Sequence, residues 1–187
     1  IDDAAALNAF LKDFAKINVP KILIHGGGKI ATQLSKTLGI ETKMIDGRRI
    51  TDEKTIDIVT MVYAGLINKK IVAQLQSQKC NAIGLSGADA NIIEAHKRIN
   101  TEIDYGFVGD IDKVNADLLI DLLSKNYTPV IAPLTHDGNG NLLNTNADTM
   151  AAAIAVELSK VKKVSFIYCF EKDGLLKDVN NNDSIIS

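Results

Sequence analysis

The alternation of apolar and polar positions predicts helices and short strands in turn. After Asp2 and Asp3, apolar residues recur at helical spacing, which predicts an amphipathic helix that ends before Pro20. These apolar residues are Leu7, Phe10, Leu11 and Phe14. Residues 21–24 form a strand-like apolar run, and the helical period returns at residues 30–38. The order helix, strand, helix indicates an α/β layer with a parallel sheet.

The longest helical pattern covers residues 52–78, and we predict that Thr51 is its N-cap. Its apolar residues spread over more than one face, which is typical of a helix that is buried on more than one side. A second copy of the chain would cover the additional face. We therefore predict a homodimer with helix 52–78 at the interface.

Later apolar runs predict the remaining elements. Strands are predicted at residues 81–86, 91–96, 105–108, 129–134 and 164–170, and helices at 115–125 and 149–158. Residues 88–112 are expected to form a small antiparallel layer, and residues 137–141 the turn of a hairpin.

A strand-like run that leads into His25 and three consecutive glycines is the most informative stretch of the chain. A helical pattern follows at once, so the glycines lie between a strand and a helix N-terminus. Backbone N–H groups can point at a ligand there, and the helix dipole favours a negative charge. The alternative is a tight turn that only requires positive φ. We predict an anion site at residues 25–28.

Further polar segments follow predicted strands or precede a helix. They are residues 86–89, residues 171–174 and residues 144–148. Arg48 and Arg49 follow a turn at Gly47, and a guanidinium can bind a carboxylate or phosphate through two parallel hydrogen bonds. Because ligands of open α/β sheets bind at the carboxyl ends of the strands, we expect these segments to form one site.

Composition narrows the class of protein. The chain has 187 residues, 46% of them hydrophobic and 24% charged, and a net charge of −2. This charge gives no electrostatic reason to expect nucleic acid or an anionic membrane as partner. No apolar run approaches the ~18 residues of a membrane span. Cys80 and Cys169 are expected to be buried free thiols of a cytoplasmic protein, and no metal site is predicted.

Two reaction classes fit these residues. Phosphoryl transfer needs N–H groups, cations and a positioning carboxylate around the migrating charge. Ester hydrolysis is the alternative, with residues 25–28 as oxyanion hole and Ser86 as nucleophile in a near-match to a nucleophile elbow; Asp89 or Asp110 would then complete a triad with His136. A non-catalytic anion-binding module is a third possibility.

Three short motifs occur along the chain in a distinctive order and spacing. They are His25-Gly26-Gly27-Gly28, Asp46-Gly47-Arg48-Arg49-Ile50-Thr51 and Asn144-Thr145-Asn146-Ala147-Asp148. Together with residues 84–89 and 108–110, they resemble the amino-acid kinase family, in its branch that phosphorylates N-acylglutamates. The resemblance runs from about residue 1 to residue 187.

The resemblance implies a fold and an activity. The fold would be a three-layer α/β/α sandwich with a mainly parallel central sheet and a small antiparallel hairpin layer. Residues 1–146 would form the N-acylglutamate-binding domain, and residues 147–187 would begin a nucleotide-binding domain. The enzyme would transfer the γ-phosphate of ATP, bound with Mg²⁺, to the side-chain carboxylate of N-acetylglutamate, the second step of arginine biosynthesis.

The resemblance also implies roles for individual residues. Gly27 and Gly28 would lie against the substrate and the transferred phosphoryl group, Arg49 would bind the α-carboxylate, and Asn144 would hold the backbone-like end of the substrate. Asp148 would organise two phosphate-binding lysines, which we expect to lie beyond the two ends of this chain. A loose match assigns nucleotide binding to Glu171, Lys172, Asp173 and Gly174.

This chemistry requires no general base, because the substrate carboxylate is already ionised at neutral pH. The site must instead suppress the repulsion between two anions while holding them in line. His25 is therefore expected to be structural.

Overall fold

A computed structural model describes residues 3–45, 48–99 and 102–169, without the side chain of Arg48. Its helices are α1 Ala4–Lys16, α2 Gly28–Thr37, α3 Glu53–Thr60, α4 Asn68–Ser77, α5 Asp117–Ser124 and α6 Ala147–Ser159. Its strands are β1 Leu23–Ile24, β2 Met44–Ile45, β3 Arg48–Arg49, β4 Ala82–Ser86, β5 Ile93–Lys97, β6 Gly109–Val114, β7 Thr128–Ala132, β8 Leu134–His136 and β9 Leu142–Asn144. A π-helical segment, Met61–Ile67, joins α3 to α4.

The central sheet is parallel and has the strand order β1-β7-β4. Every residue of β7 is buried, as expected for the middle strand, and the strand predicted at residues 129–134 is found at Thr128–Ala132. Val130 and Ala132 face one hydrophobic core, whereas Ile131 faces the other. This alternation follows from the two-residue period of a strand, so both faces of the sheet are covered.

Helices cover the two faces and give three layers. The first core lies under α1, α2 and the continuous helix from α3 to α4, and the second lies under α5 and α6. Leu11, Val62 and Leu75 belong to the first core, and Leu119 and Met150 to the second. The predicted three-layer α/β/α sandwich with a parallel sheet is confirmed.

The smaller sheet has the order β6-β5-β8-β9 and is largely antiparallel. It confirms the predicted antiparallel layer, and the β8–β9 hairpin turns at residues 137–141 as predicted. The strand predicted at residues 105–108 forms only isolated bridges, Thr51 with Gly106 and Val108 with Asn144, because β6 begins one residue later.

The long helix begins one residue later than predicted. Its N-cap is Asp52, whose side chain accepts a hydrogen bond from the Thr55 N–H at 2.8 Å, while Thr51 is fully buried and bridged to Gly106. Most apolar residues of this helix are buried in the chain's own core. Met61 and Leu66 remain exposed, at 55% and 43%.

The last described segment differs from the prediction of a buried strand at residues 164–170. Residues 164–169 have no regular structure and are exposed, and so is Cys169, which was expected to be buried; Cys80 is buried as expected. A run of β-branched and aromatic residues fits a strand, but these residues pair with no strand of the described ranges. No helix within those ranges is long and apolar enough to cross a membrane.

Candidate active site

The glycine turn follows β1 at the carboxyl edge of the central sheet. The His25 N–H donates to Ile131 O at 3.2 Å, and α2 begins at Gly28. Within the described ranges, the N–H groups of Gly27 and Gly28 have no hydrogen-bond acceptor. They lie at the N-terminus of a ten-residue helix, where an anion is favoured.

Gly27 is required by its neighbours as well as by a ligand. A Cβ atom there would lie 2.3 Å from Ile67 Cδ1 and 3.0 Å from the Tyr63 ring. Gly28 is more open, since a Cβ would meet only the Tyr63 hydroxyl, at 3.9 Å. The π-helical segment Met61–Ile67 therefore packs directly beneath the glycine turn.

Arg49 is the one buried arginine among the described side chains, with 7% exposure. Its guanidinium donates to Gly28 O at 3.0 Å, to Thr32 Oγ1 at 2.8 Å and to Thr42 Oγ1 at 3.2 Å. No carboxylate of the described residues lies within salt-bridge distance of it. A buried cation with only neutral acceptors is costly unless an anion joins it. The site is thus electrostatically suited to an anionic ligand.

Tyr63 connects the arginine with the glycine turn. It is 6% exposed, and burial raises the pKa of its hydroxyl, while the neighbouring Arg49 acts in the opposite direction. The neutral phenol therefore persists around pH 7, with its ring against Gly27 and its hydroxyl beside Arg49.

His25 is buried and fully engaged by the protein, at 4% exposure. Its Nδ1 lies 2.8 Å from Gly26 O and its Nε2 lies 3.2 Å from the Asn68 amide nitrogen. Since a carbonyl oxygen accepts and an amide nitrogen donates, these contacts assign the neutral tautomer with hydrogen on Nδ1. Burial lowers the pKa of the ring, only partly opposed by the Gly26 hydrogen bond. These contacts support the structural role expected for His25.

The 144–148 segment links β9 to α6. The Asn144 N–H donates to Phe107 O at 2.8 Å, and its Nδ2 donates to Thr51 Oγ1 at 3.1 Å. Asn146 is the N-cap of α6, with its Oδ1 accepting from the Thr149 N–H at 2.9 Å. Asp148 is exposed in the first turn, and within the described ranges its carboxylate has no partner. It is therefore free to orient a cation.

A groove of about 1460 Å³ brings most of the predicted segments together, but residues 86–89, which we expected to join them, do not line it. Its lining includes residues 25–29, Arg49, Tyr63 and residues 144–148. The candidates Gly27, Gly28, Arg49, Asn144 and Asp148 thus face one space. Glu171, Lys172, Asp173 and Gly174 lie outside the described residues.

Ser86 is not arranged for ester hydrolysis. Its hydroxyl donates to Asp89 Oδ2 at 2.8 Å, whereas His136 contacts Asn91 Oδ1 through Nε2 and accepts from the Gly138 N–H through Nδ1. Asp110, the other triad candidate, pairs with Arg98. The proposed triad needs a histidine within hydrogen-bond reach of Ser86, and no histidine of the described residues contacts its hydroxyl, so the structure does not support the hydrolase alternative.

Sequence reasoning missed three residues of the site: Thr32, Tyr63 and Asn68. Asn68 carried the clearest signal, because it is a polar residue at a position of the long helix that the helical period places in the core, where it is 1% exposed. Thr32 is unremarkable in sequence, and only the fold places its hydroxyl beside Arg49.

Several acetylglutamate kinases align with this chain over most of their own length. The acetylglutamate kinase of Cytophaga hutchinsonii is 62% identical over 188 residues, covering 100% of this chain and 71% of that protein. The acetylglutamate kinase of Bacteroides thetaiotaomicron is 56% identical, covering 100% and 72%. That of Methanopyrus kandleri is 39% identical, covering 94% and 72%.

Solved structures share the fold. The protein smu.665 from Streptococcus mutans UA159 has a TM-score of 0.71 at 25% identity, over 84% of this chain and 63% of that one. The N-acetylglutamate synthase from Neisseria gonorrhoeae, complexed with coenzyme A and N-acetyl-glutamate, has a TM-score of 0.72 at 22% identity, over 83% of this chain and 36% of that one. A profile of the amino acid kinase family matches residues 1–187. By this match and by the identity to its relatives over the whole of the given sequence, the chain belongs to the amino acid kinase family.

Proposed function

We infer that this chain carries the acyl-amino-acid site of an acetylglutamate kinase, which transfers the γ-phosphate of ATP to the side-chain carboxylate of N-acetylglutamate. The relatives named acetylglutamate kinase reach 62% identity over the whole chain. The reaction belongs to arginine biosynthesis, and we propose a cytoplasmic location.

The observation that carries this proposal is the buried Arg49, which has no carboxylate partner among the residues that the structure describes. A planar guanidinium matches a carboxylate through two parallel hydrogen bonds, and N-acetylglutamate has an α-carboxylate that takes no part in the transfer. Thr32 and Thr42 hold the guanidinium from the protein side. We propose that Arg49 binds the α-carboxylate and that Asn144 holds the adjacent backbone-like atoms of the substrate.

The glycine turn supplies donors for the charge that develops during transfer. The attacking carboxylate and the γ-phosphate are both anions, so the transition state needs N–H groups and cations that are already in place. We propose that the N–H groups of Gly27 and Gly28 serve this purpose. The exposed Asp148 would orient cationic side chains toward the same phosphoryl group. No step requires a base.

Mg²⁺ is proposed to accompany ATP. The described residues contain no group of three or more His, Cys, Asp or Glu that could hold a metal ion. An Mg²⁺ ion that enters with a nucleotide binds through phosphate oxygens and water and needs no such group. Asp148 is the one carboxylate of the 144–148 segment. When bound, the ion neutralises phosphate charge.

We also propose a division of the chain and an assembly. Residues 1–146 would form the N-acylglutamate-binding domain, and residues 147–187 would begin the nucleotide-binding domain. The homodimer through helix 52–78 stays a prediction, with the exposed Met61 and Leu66 as its apolar contact. Light scattering at micromolar concentration that shows a monomer would contradict it.

A coupled assay of ADP release on the full-length protein tests the function. We expect turnover with N-acetylglutamate and much less with unacylated glutamate. N-succinylglutamate tests how specific the enzyme is for the acetyl group. Absence of ADP release with both acylated substrates would refute the kinase.

A further inference from the structure

Asn68 lies at the centre of the layer beneath the site and belongs to none of the motifs described above. It is the first residue of α4, directly after the π-helical segment, and it is 1% exposed. A buried carboxamide is retained only where its hydrogen bonds are satisfied, so its partners indicate what it does.

The two amide hydrogens of Asn68 have two well-placed acceptors. Nδ2 lies 2.9 Å from Val130 O and 3.2 Å from His25 Nε2. Val130 is the middle residue of β7, and His25 directly follows the neighbouring strand β1, so the amide connects the middle of one strand with the residue after the other. Its Oδ1 accepts from Lys69 Nζ at 3.2 Å.

Gly84 makes room for this arrangement. A Cβ atom at Gly84 would lie 2.0 Å from Asn68 Oδ1 and 3.1 Å from its Cγ. The carboxamide therefore rests against bare backbone of β4, and a side chain there would displace it.

The Asn68 amide fixes the tautomer of His25. Because Nδ2 donates, the Nε2 of His25 must accept, and the ring hydrogen is then on Nδ1, which donates to Gly26 O at 2.8 Å. The carbonyl of Gly26 and the N–H of Gly27 belong to one planar trans peptide, so they point in opposite directions. Holding Gly26 O against the buried ring therefore aims the Gly27 N–H away from the ring, toward the groove.

We propose that Asn68 is a positioning residue for phosphoryl transfer, which acts through His25 and the Gly26–Gly27 peptide to aim the Gly27 N–H at the transferred group. The inference rests on the proposed kinase function. Asn68 itself does not line the groove, so it contributes through the orientation of a donor. Preorganised donors act mainly on the transition state, so the effect should appear in kcat.

Asn68→Asp tests the chemistry of this link at constant shape, because it replaces the donor by an acceptor. We then expect the buried ring to change tautomer, with its hydrogen on Nε2 and Gly26 O released, and not to become an imidazolium, which would keep its Nδ1–H on Gly26 O. We expect ¹⁵N NMR of the histidine ring to change from the Nδ1–H form. We also expect kcat to fall at least about tenfold, with KM for N-acetylglutamate within about twofold, since complete loss of such a donor costs on the order of a hundredfold or more. Asn81→Asp, at an exposed position, is the matched control.

Gly84→Ala tests the same link by steric displacement, because the added Cβ would push the Asn68 carboxamide away from its place. Gly65→Ala is the control, because a Cβ at Gly65 meets nothing within 4 Å. It should lower kcat and perturb the His25 resonances, whereas the control should do neither. If Asn68→Asp does not fold, this pair decides the matter. An unchanged His25 tautomer, or a changed tautomer with wild-type kcat, would overturn the proposal. Failure of the kinase function would appear separately, as absence of ADP release by the wild type with its His25 signals intact.

Discussion

Two glycine turns follow parallel strands of the central sheet, and they differ in whether their N–H donors are satisfied by the protein. The turn after β1 leads into the ten-residue helix α2, leaves the Gly27 and Gly28 N–H groups without acceptors in the described ranges, and lies beside the buried Arg49. The turn after β4 closes on itself. The Ser86 N–H and hydroxyl both donate to Asp89 Oδ2, and the Gly87 N–H donates to Leu134 O at 2.7 Å.

The difference shows that glycine at a strand end does not by itself indicate a ligand. A Cβ at Gly87 would lie 2.7 Å from Leu134 O, so this glycine permits the close approach of another backbone. At the first turn the crowding comes from side chains on one side, and donors remain open on the other. A ligand turn is therefore recognised by its unsatisfied donors and by an unpaired charge nearby.

The pair Gly27→Ala and Gly87→Ala should separate the two turns most strongly. Gly27→Ala pushes against Ile67 and Tyr63 and shifts the donor, so we expect kcat to fall on the order of a hundred- to a thousandfold. Gly87→Ala should cost about 1–3 kcal/mol of unfolding free energy and leave kcat of the folded enzyme unchanged. Steady-state kinetics and urea unfolding measure both. Equal losses of kcat would make the second turn part of the site.

Asp148→Asn should be next in size. The structure separates capping from charge here, because Asn146 and not Asp148 caps α6. If Asp148 orients cations that meet the developing charge, kcat should fall about tenfold or more, with a smaller rise in KM. Asp117→Asn, in the first turn of α5, is the matched control for loss of dipole stabilisation alone. Thermal melts of both variants should agree within a few degrees. Wild-type turnover by Asp148→Asn would refute its role.

Arg49→Ala should act on binding more than on chemistry. The α-carboxylate is remote from the transferred group, so its contact is similar in ground and transition states, and KM should rise about ten- to a hundredfold at nearly constant kcat. The compound 4-acetamidobutyrate lacks only the α-carboxylate. Its KM should be high for the wild type and should change little in Arg49→Ala. Equal loss with both substrates would mean that Arg49 chiefly supports Gly28 and Thr32.

The sequence predicts the layers well, and it identifies candidate residues that the structure places around one groove, because both depend on local patterns. Residues 129–132 of the wholly buried β7 are an apolar run, and the motifs around Gly27, Arg49 and Asp148 are short and contiguous. Their convergence follows from the rule that loops of a parallel sheet gather at its carboxyl edge. Each of these inferences needs only neighbours in sequence.

The predictions of secondary structure that failed concern residues whose conformation depends on tertiary contacts. Thr51 and Asp52 can both cap a helix, and only the burial of Thr51 against Gly106 decides for Asp52. Residues 164–169 have strand-forming side chains, yet strand formation requires a partner. The π-helical segment Met61–Ile67 is equally invisible, because an apolar stretch of this kind fits either helical period.

The first turn alone contains a buried ionisable ring, so acid should affect it selectively. Burial lowers the pKa of His25 from 6.5, and between the lowered and the ordinary value the unfolded state binds more protons than the folded state. Stability is thus fully present above about pH 6.5 and falls as the pH drops toward the lowered pKa, by at most about 1.4 kcal/mol per pH unit. Urea unfolding at pH 7.5 and 5.5 measures the slope. His25→Gln should remove this part of it.

Ser86→Ala should have the smallest effect and tests the other side of the comparison. It removes the hydroxyl that donates to Asp89 at 2.8 Å, while the Ser86 N–H keeps its own bond to the same carboxylate at 2.6 Å. The loss should therefore be about 1–2 kcal/mol of unfolding free energy, because the acceptor is a carboxylate but is exposed to water. Both kcat and KM should equal those of the wild type, and a fluorophosphonate probe should leave Ser86 of the wild type unlabelled. Ser77→Ala, which removes an exposed hydroxyl, provides the baseline for stability. Labelling of Ser86, or a tenfold loss of activity in Ser86→Ala, would show that the closed turn takes part in chemistry and that open donors do not distinguish the two turns.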